Sequence, residues 1–162
     1  FLNRNGDSNK VIFIPAFNGL GAPFWDSKIR ASFYGITQDS SIENMITAAF
    51  HSITFQTKEI TTILENNDIK INKLFVDGGM VANKTFCQVL ANTLQKDIYR
   101  PENVESTALG ACKVAMIASG ESIKANTANT EIFKSNSDLK TVYENEHLAW
   151  LNHLKELLEK KD

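Results

Sequence analysis

The sequence has no apolar run approaching the roughly 18 residues that a membrane-crossing helix needs, so a helical span is excluded. A dominant charge of one sign is missing as well. Seventeen basic residues stand against 19 acidic ones, interspersed, for a net charge of −2, so nothing steers the chain toward nucleic acid or an anionic membrane. Cysteine is scarce: Cys87 and Cys112 form no Cys-x-x-Cys, and no histidine stands at ligand spacing, which excludes a zinc site or a disulfide framework. Both are expected to be buried free thiols in a reducing cytoplasm. The start, Phe1-Leu2-Asn3-Arg4-Asn5-Gly6, lacks the charged opening and apolar stretch of a signal peptide and reads as a chain joined in the middle. Internal repeats and low-complexity tracts are absent too.

What remains is 162 residues, 43% hydrophobic and 22% charged, enough to bury one core. Val11-Ile12-Phe13-Ile14 predicts a buried strand stopped by Pro15, and Asn18 to Pro23 holds too many breakers for anything but a loop. Ser32 to Thr37 is a second strand candidate. Ser40 and Glu43 then read as a capping box for a long helix. Its apolar stripe is Ile42, Met45, Ile46, Ala49, Phe50, Ile53, Ile60, Ile63 and Leu64, closed by Asn66-Asn67-Asp68.

Lys73 to Val76 predicts a central buried strand running into Asp77-Gly78-Gly79. Asn83 caps a helix carrying Phe86, Val89, Leu90 and Leu94. Asp97 to Pro101 is a terse strand, and Ser106 to Ser119 an alanine-rich helix closed by Gly120. This alternation predicts an α/β layer with parallel neighbours. Residues 121–140, polar and rich in threonine and serine, predict a surface connection. The tail from about Leu139 to Lys160 predicts a helix packing back through Tyr143, Leu148, Leu151, Leu154, Leu157 and Leu158.

Two stretches carry candidate chemistry. In Val76-Asp77-Gly78-Gly79-Met80-Val81-Ala82-Asn83, consecutive glycines between strand and helix let the backbone turn sharply and approach a ligand. The helix start behind them offers free amides and a positive dipole end, which suits a phosphate or nucleotide. A plain strand-to-helix turn fits the same pattern, with Asp77 only a strand-end carboxylate. The stretch is neither a Walker loop nor a full dinucleotide fingerprint. The second stretch, Pro15 to Asp26 followed by Arg30, is a loop that Phe17, Phe24 and Trp25 can anchor, either shaping a nucleotide site or serving stability alone, with Asp26 and Arg30 a surface pair.

Ile14-Pro15-Ala16-Phe17, Gly19-Leu20-Gly21-Ala22-Pro23-Phe24-Trp25-Asp26, Val76-Asp77-Gly78-Gly79 with Val81-Ala82-Asn83, and Thr107-Ala108-Leu109-Gly110-Ala111 resemble the glycerol kinases of the FGGY sugar-kinase family, in order and spacing. The resemblance runs from about Val11 to Gly120, with a fainter continuation around Phe133, Tyr143 and Trp150. It implies an α/β, actin-like (ribonuclease-H-like) ATPase domain, present in part. Residues 1–120 would be the C-terminal nucleotide-binding domain, and residues 121–162 a surface connection and C-terminal helix of the same domain.

It further implies ATP and Mg2+ as cofactors, ATP or ADP at Gly78, Gly79 and Asn83, and glycerol only together with the N-terminal half. A homo-oligomeric full-length enzyme stays open. The family's general base, its glycerol-gripping residues and its phosphate-touching hairpin precede Phe1 in the family's order, so no catalytic and no metal-binding residue is assigned. Departures from the pattern are Ala31 where glycine is usual, Lys113 where a small or aromatic residue is usual, and the missing aromatic pair after Gly120. Two rivals stay open: a noncatalytic remnant of a split or decaying kinase gene, and a kinase of this family for another polyol or sugar.

Overall fold

The computed structural model describes residues 8–102, 105–122 and 129–160. The lead-in and part of the expected surface connection lie outside the described residues. Strand β1 (Ile12–Ile14) pairs antiparallel with β2 (Ser32–Tyr34), Phe13 facing Phe33. Helix α1 (Ile42–Asn66) follows. Its capping box lies one residue beyond the expected one. Ser41 Oγ accepts from the Asn44 amide at 3.2 Å, and Asn44 Oδ1 accepts from the Ser41 amide at 2.9 Å. Ser40 is already committed to the preceding turn, where its hydroxyl accepts from the Thr37 amide.

Strand β3 (Leu74–Phe75), helix α2 (Lys84–Leu94) and strand β4 (Ile98–Pro101) form a unit with parallel strands, with a short 3-10 turn at Gly79–Ala82 ahead of α2. Helix α3 (Ser106–Ala118) is closed by Gly120 at φ +86°, the left-handed conformation expected of a glycine there. Strand β5 (Thr130–Phe133) then pairs antiparallel with β4, and α4 (Lys140–Glu159) ends the described chain. Among the described residues, therefore, one strand pair is parallel and two are antiparallel. β4, and not β3, is the middle strand of its sheet. β5 falls inside the stretch expected to be a connection: its four residues are too few to show a period, and only Phe133 is buried.

Two apolar clusters flank α2. Ile14, Leu20, Phe55, Val89, Tyr143, Trp150 and Leu154 form the first, and Val81, Phe86, Cys87, Leu90, Leu94, Ile98 and Phe133 the second. Helix α2 is buried on both sides because it feeds both clusters, as its expected apolar residues require.

The expected stripe of α1 is not its buried face. Thr47, Ala48, His51, Ser52, Thr54, Phe55 and Thr61 face the body, whereas Ile42, Ile53, Ile60 and Ile63 are exposed. Three of the buried hydroxyls are satisfied locally, Ser52 to the Ala49 carbonyl, Thr54 to His51 and Thr61 to Lys58, whereas the Thr47 hydroxyl is buried without a hydrogen-bond partner. Thr54 also meets Thr93 of α2 at 3.0 Å. Small side chains that bond their own helix bury at little cost and let neighbouring elements come close, although they read as polar. In α4, Trp150 takes the inward place and donates from Nε1 to the Phe13 carbonyl at 3.0 Å, while Leu148 is exposed. Cys87 is buried as expected, but Cys112 lies on exposed α3 and is not.

Candidate functional site

The glycine turn begins where β3 ends. Val76 still bonds from its amide to the Tyr99 carbonyl of β4 at 3.0 Å, and the chain then leaves the sheet at Asp77. Gly78 sits at φ +93°, a region that residues with a side chain rarely adopt, so it makes the bend. Gly79 opens the 3-10 turn, which closes with Val81 N–H to Gly78 O and Asn83 N–H to Met80 O, both at 3.2 Å.

Asn83 caps α2 as expected, its Oδ1 accepting from the amides of Thr85 at 2.9 Å and Phe86 at 3.3 Å. The structure thus brings all three expected residues, Gly78, Gly79 and Asn83, into one strand-to-helix passage. A Cβ placed on Gly78 or on Gly79 meets no protein atom within 4 Å, so both present bare backbone to open space. That is the shape a flat or phosphorylated ligand needs for close approach, and the helix start supplies dipole and amides beside it. The geometry fits a nucleotide. Among the described residues no group of three or more His, Cys, Asp or Glu side chains is placed to bind a metal ion.

Sequence reasoning missed what stands behind the turn. Arg100 of β4 donates from Nη1 to the carbonyls of Val81 at 2.9 Å and Ala82 at 3.3 Å. Its Nη2 meets Glu131 Oε2 at 2.6 Å, and Lys84 Nζ meets Glu131 Oε1 at 2.8 Å. The Lys84 ammonium, and with it the Arg100 guanidinium, holds the Glu131 carboxyl below its ordinary range against the opposing effect of burial. No sequence signal links these residues, because Glu131 lies on the unrecognised β5.

The loop of Pro15 to Asp26 is built elsewhere. Leu20 and Asp26 exchange both backbone hydrogen bonds, at 2.6 and 3.0 Å, and Gln56 of α1 donates to the Ala22 carbonyl. Gly19, at φ +91°, is required there, since a Cβ would lie 2.4 Å from the Asp26 carbonyl oxygen. Of the expected anchors only Phe24 packs inward, edge-on to Trp150; Phe17 and Trp25 are exposed. Asp26 is buried and accepts from the amides of Lys28 and Ile29, and Arg30 donates to the carbonyls of Ser27, Lys28 and Ile29. The loop rests on the first apolar cluster and the glycine turn on the second. A cavity of about 390 Å³ also belongs to the first cluster, lined mainly by apolar groups of β1, α1 and α4.

A model of the FGGY family of carbohydrate kinases, C-terminal domain, matches residues 3–119. The chain belongs to this family. Glycerol kinase 1 of Pseudomonas aeruginosa is 41% identical over 115 residues, which are 71% of this chain and 23% of that relative. This FGGY chain spans about a quarter of the length of the curated relatives it matches. Among solved structures, Plasmodium falciparum glycerol kinase with ADP is 28% identical at a TM-score of 0.73, covering 93% of this chain and 31% of that one. A ligand-bound xylulose kinase from Lactobacillus acidophilus gives a TM-score of 0.79 at 23% identity, over 94% of this chain and 32% of that one, a likeness of fold. The fold is the actin-like ATPase fold of the FGGY kinases, present in part. Among the described residues, no helix is long and apolar enough to cross a membrane.

Proposed function

We propose that this chain is the C-terminal nucleotide-binding part of an ATP-dependent glycerol kinase, with Gly78, Gly79 and Asn83 at the nucleotide. The observation that carries the reading is the bare glycine turn opening onto a capped helix at the exit of β3. Identity of about 40% to glycerol kinases supports glycerol over other polyols. When bound, ATP supplies the γ-phosphoryl group for transfer to a terminal hydroxyl of glycerol. The residues of this chain do the holding: Gly78 bends the backbone, Gly79 leaves room for contact, and Asn83 orders the amides of the α2 start. Mg2+ would supply charge neutralisation at the phosphates, and no residue of this chain is assigned to hold it. The proton acceptor and the glycerol-binding groups belong to the N-terminal part of the kinase, so this chain has no turnover alone.

The test is to titrate ADP into the chain and into Gly79→Val, then to add the N-terminal part in trans and assay glycerol 3-phosphate. Binding by the wild type only, with turnover only after addition, is the expected pattern. Equal binding by both proteins overturns the site, and turnover by the chain alone overturns the division of labour. Binding without turnover after addition favours a noncatalytic remnant.

A further inference from the structure

We propose that Arg100 is a positioning residue for the nucleotide turn, held at its post by Glu131; the proposal rests on the reading that Gly78 to Asn83 receives the nucleotide. A four-residue 3-10 turn has poor hydrogen-bond geometry of its own, and two glycines at its start add backbone freedom that must be frozen before a ligand meets a defined surface. The turn therefore needs support from outside. Part of it is Val81, whose side chain is buried and whose backbone carbonyl accepts from Cys87 Sγ. The directional part is the Arg100 guanidinium, which reaches the last two carbonyls of the turn, those just before the Asn83 cap.

The guanidinium is itself fixed. Arg100 and Glu131 are register partners on β4 and β5, so the carboxylate faces it directly, and the Arg100 side chain is 15% exposed. The ring of Phe133 lies 5.6 Å away on another side. The second oxygen of Glu131 holds Lys84, the first residue of α2. One carboxylate thus ties the arginine that braces the turn to the helix that continues it. A planar fork serves two carbonyls and a carboxylate at once, which a lysine ammonium on its flexible stem does not. The competing account is that these charges only hold β4 to β5.

The experiment compares ADP affinity, thermal midpoint and amide hydrogen exchange at residues 79–83 in the wild type, Arg100→Lys, Glu131→Gln and, as the probe of the site itself, Gly79→Val. Arg100→Lys is expected to keep the wild-type midpoint within a few degrees, to raise exchange at the turn without ligand, and to weaken ADP binding about tenfold. Glu131→Gln is expected to weaken it about threefold. Wild-type ADP affinity and unchanged exchange in Arg100→Lys overturn the proposal, leaving a brace between strands. If the wild type and Gly79→Val bind ADP alike, or neither binds, the site reading fails and the proposal falls with it; raised exchange in Arg100→Lys alone does not rescue it.

Discussion

His51 of α1 and Glu146 of α4 meet at 2.5 Å, the imidazole 2% exposed, and a reversed pair, Glu59 of α1 with His147 of α4, stands beside them at 2.9 Å. Phe55 lies between the two histidines, its ring 5.4 Å from His51 and 5.3 Å from His147. Glu146 also accepts from the Ser8 amide at 2.9 Å, so one carboxylate gathers the chain before β1, α1 and α4. Removing it leaves a buried imidazole facing apolar surface, and Glu146→Ala is expected to lower stability by about 2–4 kcal/mol in urea denaturation. The control is Lys140→Ala, which removes an exposed pair with Glu144 at 3.8 Å and should change stability by less than about 0.5 kcal/mol.

Asn83 allows the cap to be separated from the ligand contact. Asn83→Ala frees the amides of Thr85 and Phe86 and should cost about 1 kcal/mol. Asn83→Asp keeps an oxygen acceptor and a favourable charge at the helix start, so its melting midpoint should match or exceed the wild type. The added negative charge repels phosphate, so ADP affinity should nevertheless fall. Wild-type affinity in the aspartate variant would place the phosphates away from this helix end.

The element sequence and the turn were legible because their signals are local: breakers at Gly78-Gly79, a cap at Asn83, and a buried apolar period on α2. The burial of α1 was not, because its inward face is rich in threonine, serine and histidine, with the hydroxyls of Ser52, Thr54 and Thr61 bonded within the helix, while Ile42, Ile53, Ile60 and Ile63 are exposed. β5 was missed because four residues between threonine-rich neighbours show no period. Missing β5 meant missing Glu131, and with it the Arg100 brace, whose logic exists only in the strand register. Family resemblance singled out the candidate turn; only the fold brings Arg100 and Glu131 behind it.

Helix α3 predicts how the chain behaves in solution. It contains no buried residue, its single charged residue is Lys113, and Leu109, Val114, Met116 and Ile117 are exposed. A helix that is apolar on all sides is built to be covered. Concentration-dependent self-association is expected in light scattering, and Val114→Glu with Ile117→Lys should reduce it strongly without lowering the midpoint. A monodisperse wild-type monomer with a cooperative melt would show that the layers present suffice.

Glu131 sets an acid limit. Its carboxyl is held below the ordinary glutamate value in the fold, so the folded state binds fewer protons there than the unfolded chain. Its contribution is complete above the unfolded value and is lost as pH falls through the lowered one. Thermal midpoints followed from about pH 6 down to about pH 3 should therefore fall less steeply in Glu131→Gln than in the wild type. Parallel curves would mean that the pairing with Lys84 and Arg100 contributes nothing to the fold.

Gly78 and Gly79 are adjacent, yet they should answer the same substitution differently. Gly78 stands at φ +93°, so Gly78→Ala forces a side chain into the left-handed half of the map and should cost about 1–2 kcal/mol. Gly79 has no such φ and open space at its Cβ, so Gly79→Ala should leave stability unchanged or raise it by about 0.5 kcal/mol through a less flexible unfolded chain. Binding should follow a different order. Because neither added Cβ touches protein, a loss of ADP affinity in a Gly79 variant of wild-type stability must come from the ligand's side of the turn. Affinity is expected to fall from Gly79 to Gly79→Ala to Gly79→Val as the projecting volume grows, at constant urea midpoint. A Gly79→Val protein that binds ADP as the wild type does, with Gly78→Ala destabilised as expected, would leave the turn as a structural bend and move the nucleotide elsewhere.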